Sequence, residues 1–402
     1  MKLVKWFHSR FPNIKNKIKV IGLLKYPNSS IKFRLLFFLI DNFLNLLVSS
    51  KIHENLFPKP RSILIVNGAH LGDILLSTCF LPLLKKKFPD IQIGFLVGSW
   101  AVKAIKDNHL VNRIHTVDHF RLNRSNKNIF IKIWHYALTS KKTLTELSYY
   151  NYDIAVNLYS KPNVIALLWL ARIPTRIGYI NGGLGPLLTH QVIWKNSNNH
   201  ITDYHMRLLS IIDPLFEKTS NLNYMIPLPK PEELAAVRRI SKGKIYCGSK
   251  YTVIHVGTGE KKREWPREKW KELAIRLSQR GVNQLIFTGH GQREIDITSW
   301  ISEGLTNFTD LCGQLDWNEF IAVISGATIV YCVESVAGHV ASGLGIPCVA
   351  IYSGLNKPNY FKPIGQLTQT ITANLDCLGC QTGCADMLCV TSVNVDDILS
   401  LK

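Results

Sequence analysis

Three loops in this sequence carry side chains suited to chemistry, and each follows an apolar run of strand length. The first is Asn67-Gly68-Ala69-His70-Leu71-Gly72-Asp73, directly after Ser62–Val66 and ahead of a helical pattern. Gly68 and Gly72 permit a tight turn and close backbone approach. Asp73, at a helix start, is held as carboxylate and could take a proton from a hydroxyl; the same position equally suits a helix N-cap. The second loop, His255 to Pro266, sets Gly257, Thr258 and Gly259 before Lys261, Lys262 and Arg263. Open backbone N–H groups beside cations fit a diphosphate, and a solvated charge run is the competing reading. The third runs from Val333 through Glu334 and Ser335 to His339, where a helix start offers amides to phosphate. His339 either faces that phosphate or fills a core site. Residues 288–294 form a weaker glycine loop.

These loops need a scaffold that delivers them to one place. From Arg61 onward, strand-like runs alternate with helical spacing: 62–66, 91–97, 113–117 and 152–158, with a helix over 74–88. A second series holds strands at 251–256, 284–289, 328–333 and 347–352, and helices over 267–280, from 292, and over 336–344. The alternation predicts an α/β chain with two Rossmann-like, doubly wound parallel-sheet domains facing a cleft. The prolines at 227, 229 and 231 mark the hinge, giving an extension at 1–60 and domains at 61–225 and 226–402. There is no G-x-x-x-x-G-K-[ST], and the first strand lacks G-x-G-x-x-G, which counts against a P-loop NTPase and a dehydrogenase.

The chain has 402 residues and a formal net charge of +20, so it favours an anionic partner: a phosphorylated substrate, an acidic membrane face or nucleic acid. A nucleic-acid binder would interleave aromatics with cations on one face, whereas apolar strands separate the cationic loops here. Nine cysteines, an odd number, exclude a fully paired disulfide framework and fit a reducing cytoplasm. Four of them, Cys377, Cys380, Cys384 and Cys389, have the spacing C-x2-C-x3-C-x4-C, which lets four thiolates converge on a structural zinc; reduced thiols or a redox-labile pair are the other readings.

The first 60 residues hold eleven Lys and Arg, among them Lys2, Lys5, Lys15, Lys17 and Lys19, against Asp41 and Glu54. Leu35 to Val48 is too short and too polar to span a bilayer. On a helical wheel Arg34, Asp41, Asn42, Asn45 and Ser49 share one side and the rest is apolar. The segment reads either as a surface-lying membrane contact or as a helix packed on the first domain.

The three loops, in this order and spacing, resemble glycosyltransferase family 9, the lipopolysaccharide heptosyltransferases. The stretches are ILIVNGAHLGDILLSTCFLPLLKKKFP (63–89), HVGTGEKKREWP (255–266) and ESVAGHVASGLGIPCVAIYSG (334–354), and the likeness covers roughly 61–395. It implies a GT-B fold, with the acceptor on the first domain and a nucleotide sugar on the second, and inverting transfer. Asp73 then becomes the general base. Thr258, Lys262 and Arg263 bind the diphosphate, while Glu334, Ser335 and His339 line the donor site. Gly72, Gly257 and Gly259 shape the loops. The cations and a helix dipole neutralise the leaving group, so no cofactor is required. Similar cysteine clusters occur near the end of many family members. Glu334 and Val336 stand where the family usually has Asp and Gly. The implied activity is transfer of heptose from ADP-heptose, or of a different nucleotide sugar, to a phosphorylated lipid or oligosaccharide acceptor of the lipopolysaccharide core or a related surface glycan. The implied place is the cytoplasm, on the inner membrane face.

Overall fold

A computed structural model describes residues 31–47 and 59–401, apart from 124, 126, 196, 197 and 219–221. The five lysines named above, with Val48 and Ser49, lie outside the described residues.

After helix α1 (Ile31–Leu47), the first domain contains β1 (Ser62–Val66), α2 (Leu71–Leu76), α3 (Leu81–Lys87), β2 (Gln92–Val97), β3 (Arg113–Thr116), α4 (Ile129–Tyr150), β4 (Ile154–Asn157), α5 (Pro162–Leu170), β5 (Thr175–Tyr179), β6 (His190–Val192) and α6 (Ile201–Leu209). Its six strands are all parallel, in the order β3-β2-β1-β4-β5-β6. The continuous apolar run of β1 reflects burial on both faces. Ile63 and Ile65 join the core with Ile74, Leu81, Ile93 and Phe95. Leu64 and Val66 point the other way, into a cluster with Leu96, Leu147 and Leu168.

The second domain repeats the plan with α7 (Pro231–Ile240), β7 (Thr252–His255), α8 (Arg267–Gln279), β8 (Leu285–Thr288), α9 (Gln292–Ser302), β9 (Phe308–Asp310), α10 (Trp317–Ser325), β10 (Ile329–Val333), α11 (Val336–Gly343), β11 (Cys348–Ile351), β12 (Thr368–Ile371), α12 (Leu388–Thr391) and α13 (Val395–Ser400). The order β12-β11-β10-β7-β8-β9 is the same topology, again parallel throughout. Both sheets therefore reverse strand order beside their first strand, the switch point where open α/β sheets bind ligands.

The chain crosses between domains just after Met225, whose N–H bonds Thr78 Oγ1 at 3.1 Å and whose carbonyl accepts from Asn108. Beyond it, α7 packs on α10. The helix expected over 74–88 is two helices. Ser77 and Thr78 turn their hydroxyls onto the carbonyls of Asp73 and Leu75, and Pro82 starts the second helix, where its missing N–H costs nothing. Among the described residues, no helix is long and apolar enough to cross a membrane.

Candidate functional site

The loop after β1 is held rigidly. Asn67 Oδ1 accepts the Ala69 N–H, and Trp100 Nε1 donates to the Ala69 carbonyl at 3.0 Å. His70 is the N-cap of α2, and Asp73 is its third residue, with Oδ2 accepting the His70 N–H at 3.2 Å. The carboxylate therefore has a capping role, one turn further in than an N-cap, while staying partly exposed. Two tyrosines report on its surroundings. Burial raises the phenol pKa of Tyr159 and the nearby charge of Asp73 raises it further. Burial likewise raises Tyr360, helped by Tyr204 and then Asp73. Tyr159 follows β4 and Tyr360 follows β11, so Asp73 sits where the two domains meet.

That meeting is tight. Helix α11 packs on α2, and a Cβ on Gly72 would lie 3.0 Å from His339 Cδ2. Gly72 thus sits at a close approach between the two domains, where a methyl would press on the His339 ring. His339 is buried, with Nδ1 2.7 Å from Tyr224 Oη, and burial lowers its pKa to about 3. His339 is thus enclosed between Tyr224 and Gly72, the placement of a core histidine.

On the donor side the structure brings Arg263 and Glu334 together. Arg263 Nη1 donates to Glu334 Oε1 at 2.8 Å, and Ser353 Oγ donates to Glu334 Oε2 at 2.9 Å. Burial raises the Glu334 pKa, and Arg263 opposes that shift. Ser335 is the N-cap of α11, and its Oγ is enclosed with no protein partner among the described residues. Thr258 is placed differently from its expected role. It is buried, and its hydroxyl donates to the Glu334 carbonyl at 3.2 Å. Lys262 donates to the Thr382 carbonyl at 3.0 Å.

Sequence reasoning missed the floor of this loop. Glu294 accepts the His290 N–H at 2.7 Å, and a Cβ on Gly257 would fall 1.9 Å from its Oε2. Arg293 donates to the Thr258 carbonyl and pairs with Glu264 at 2.7 Å. Gly257 is therefore a packing requirement, and the 288–294 glycine loop is its support. Gly259 lies exposed at the tip.

A second missed feature is a group of cations beyond β3 and β4. Burial lowers the pKa of Lys161 and Arg121 lowers it further; His119 is lowered by burial, Lys161 and Arg121. Lys161 Nζ lies 5.5 Å over the ring of Tyr159. Among the described residues no ion pair joins Lys161 or Arg121 to a carboxylate. Their shared place just past strand ends was the available signal.

The four terminal cysteines are free thiols that differ in burial. Cys377, Cys380 and Cys384 are exposed, and Cys389 is buried in α12 beside Gly354. The N–H groups of Gly383 and Thr382 bond the Cys380 sulfur and lower its pKa. Among the described residues no group of three or more His, Cys, Asp or Glu is placed to hold a metal. Burial raises the Cys389 pKa, and the nearby Cys377 and Cys384 raise it further, so three of the four thiols lie within electrostatic reach of one another.

Comparison with known proteins decides the family, because the model of "Glycosyltransferase family 9 (heptosyltransferase)" matches residues 141–390, over half of the chain. The chain belongs to glycosyltransferase family 9. It is a glycosyltransferase. Lipopolysaccharide heptosyltransferase 3 of Escherichia coli (strain K12) is 24% identical over 296 residues, covering 70% of this chain and 79% of that one. Lipooligosaccharide heptosyltransferase 2 of Haemophilus ducreyi is 24% identical over 331 residues, covering 76% and 86%. Among solved structures, a family 9 glycosyl transferase from Veillonella parvula superposes with a TM-score of 0.68 at 17% identity, over 85% of this chain and 95% of that one. ADP-heptose lps heptosyltransferase II of E. coli superposes with a TM-score of 0.67 at 16% identity, over 84% and 96%. These superpositions establish the GT-B fold of this family 9 enzyme.

Proposed function

We propose that this family 9 enzyme is an inverting heptosyltransferase that moves heptose from ADP-heptose to an anionic sugar of the lipopolysaccharide core. The position of Asp73 carries the reading. It lies on α2 where α11 packs, within electrostatic reach of a tyrosine from each domain. Asp73 takes the proton of the acceptor hydroxyl, whose oxygen forms a bond to the anomeric carbon. The bond from that carbon to the diphosphate breaks on the opposite side, and ADP leaves with the electron pair. Arg263, Ser335 and the first amides of α11 stabilise the departing charge. Lys161 and Arg121 hold a phosphate or carboxylate of the acceptor. The names of the relatives support heptose as the sugar.

A second donor reading has an observation of its own. Both Glu334 oxygens are taken up, by Arg263 and Ser353, so that carboxylate is not directed at a sugar hydroxyl. A nucleotide sugar other than ADP-heptose fits this arrangement equally.

The test is a melting-temperature screen of nucleotide sugars with wild type and Asp73→Asn. A donor at about 100 times its Kd stabilises the fold by roughly 2.7 kcal/mol. ADP-heptose should stabilise both proteins alike, and transfer should fall by roughly 100-fold or more in the variant. Selective stabilisation by another nucleotide sugar renames the donor. Full transfer by Asp73→Asn removes Asp73 as the base.

A further inference from the structure

Helix α1 is apolar over more of its circumference than the protein covers. One side packs on the first domain: Asp41 is buried and its Oδ1 accepts the Leu184 N–H at 2.8 Å, while Asn42 and Asn45 stay exposed. Beside it, Phe37 lies against Gly183 and Leu44 joins a cluster with Ile165, Leu187 and Leu188. The opposite side, centred on Leu39, Phe43 and Leu46, faces outward, with Leu46 85% exposed. A surface helix ordinarily buries its apolar stripe and wets its polar one. Here the apolar stripe is left for something else to cover.

A second helix does the same. The first half of α4 presents Phe130, Trp134 and Leu138 on one stripe, with Phe130 76% and Trp134 68% exposed. Its packed side carries Tyr136, Leu144 and Leu147, seated with Leu167 and Leu168 of α5. The exposed helices are neighbours, since α4 packs on α5 and Leu44 of α1 packs on Ile165 of the same α5. Trp169 and Leu170, at the end of α5, are also exposed.

Charge says what covers this face. Residues 129–142 carry Lys132, Lys141 and Lys142 and no acid. The carboxylate of α4, Glu146, is turned to His115 at 2.8 Å. Asp41, the acid of α1, is buried against the protein. Residues 1–30 hold seven Lys and Arg and no Asp or Glu. A second copy would bring like charge against like charge, whereas an anionic lipid surface accepts both the apolar stripes and their cations.

We propose that α1 and the first half of α4 form one membrane-docking face, lying in the headgroup region of an anionic phospholipid bilayer. The face adjoins the acceptor side of the cleft, since Tyr136 of α4 has its ring 5.4 Å from that of His119. Docking sets Lys161 and Arg121 beside the lipid headgroups, where an acceptor carried on a lipid would present its charged sugars.

The experiment is co-sedimentation of the full chain with vesicles of phosphatidylglycerol and phosphatidylethanolamine, against vesicles of phosphatidylcholine alone. Wild type should bind the anionic vesicles selectively. Leu39→Ser with Phe43→Ser, and Trp134→Ser separately, should each weaken binding by about tenfold or more, since each removes a buried apolar contact with lipid. Leu228→Ser, at an exposed apolar position on the interdomain linker, should leave it unchanged. Fluorescence quenching by brominated acyl chains in wild type, reduced in Trp134→Phe, tests the same contact without a disruptive change. No binding to anionic vesicles, undiminished binding by the serine variants, or no quenching overturns the proposal. So does a dimer in solution that the same substitutions dissociate.

Discussion

Replacing Arg263 by Ala should damage two properties that a second substitution can separate. The guanidinium is 27% exposed and donates at 2.8 Å to Glu334, whose side chain is only 7% exposed. Without it, Glu334 keeps the Ser353 hydroxyl but loses its counter-ion. Breaking a fully buried pair costs about 3–5 kcal/mol, and the partial exposure of Arg263 reduces this to about 2–3 kcal/mol. In a domain of this size the melting temperature then drops by roughly 5–10 °C. The pH dependence has a definite sign. Burial raises the folded-state pKa of Glu334 above its ordinary value of 4.5, and Arg263 is the largest influence opposing that rise. Without Arg263 the pKa rises further. A carboxyl whose folded pKa exceeds its unfolded one contributes most below the unfolded value, and loses ground as pH rises through the folded value. The melting-temperature deficit of Arg263→Ala should therefore widen as pH increases above 4.5 and shrink below it.

Donor affinity behaves differently. Losing a charge-assisted contact to a diphosphate costs about 1.5–3 kcal/mol, or roughly 10- to 150-fold in Kd. Adding Glu334→Gln removes the stranded charge while keeping an acceptor for Ser353. The double variant should regain most of the melting temperature and lose the pH dependence added by Arg263→Ala, yet keep the weakened Kd. Calorimetric melts from pH 4.5 to 8 and titration with ADP supply both readouts. A double variant as unstable as Arg263→Ala, or an Arg263→Ala that binds ADP like wild type, would refute the reasoning.

Four further outcomes are expected. Lys161→Ala should raise the acceptor KM about tenfold or more with donor Kd unchanged, since it removes a cation from a low-dielectric cluster; an unchanged KM removes it from the acceptor site. Gly72→Ala forces a Cβ against His339 at the domain contact and should lower kcat, with the melting temperature as control; wild-type kcat shows the contact yields freely. His205 and His339, both held near a pKa of about 3, and His255, near about 4, are neutral when folded, so stability is full above pH 6.5 and declines as pH falls toward those values. Each contributes about 1.4 kcal/mol per pH unit below 6.5, and a melting temperature flat from pH 7 to 5 contradicts their burial. Cys380 should alkylate at neutral pH faster than a free thiol, because backbone N–H groups favour its thiolate; an ordinary rate sinks that reading.

The parts of the fold set by local pattern were legible. The runs of β1, β2, β7 and β10 are buried on both faces, so their sequences are mostly apolar and their ends fall within a residue or two of expectation. The edge strands β6, β9 and β12 were not, since His190–Val192, Phe308–Asp310 and Thr368–Ile371 are short and mostly polar, as their partial exposure allows. The Leu71–Lys87 break was hidden because Ser77 and Thr78 read as neutral helix residues until their hydroxyls are seen on the backbone.

The same division runs through the site. Asp73 and Arg263 stand out in the sequence because a loop after a strand advertises itself locally; Asp73 is held by its own loop, and Arg263 by Glu334 across the sheet edge. His339 and Thr258 lie in equally suggestive motifs, yet their surroundings come from Tyr224, Gly72 and Glu334, which are remote in sequence. A motif names the residues that reach the cleft edge, and burial decides which of them still face it. Glu334 shows the consequence. From sequence it is a lengthened sugar ligand, whereas in the fold the extra methylene brings its carboxylate into the reach of Arg263 and Ser353. A longer side chain in a site of fixed width must find a new partner, and a protein cation nearby outcompetes a neutral hydroxyl.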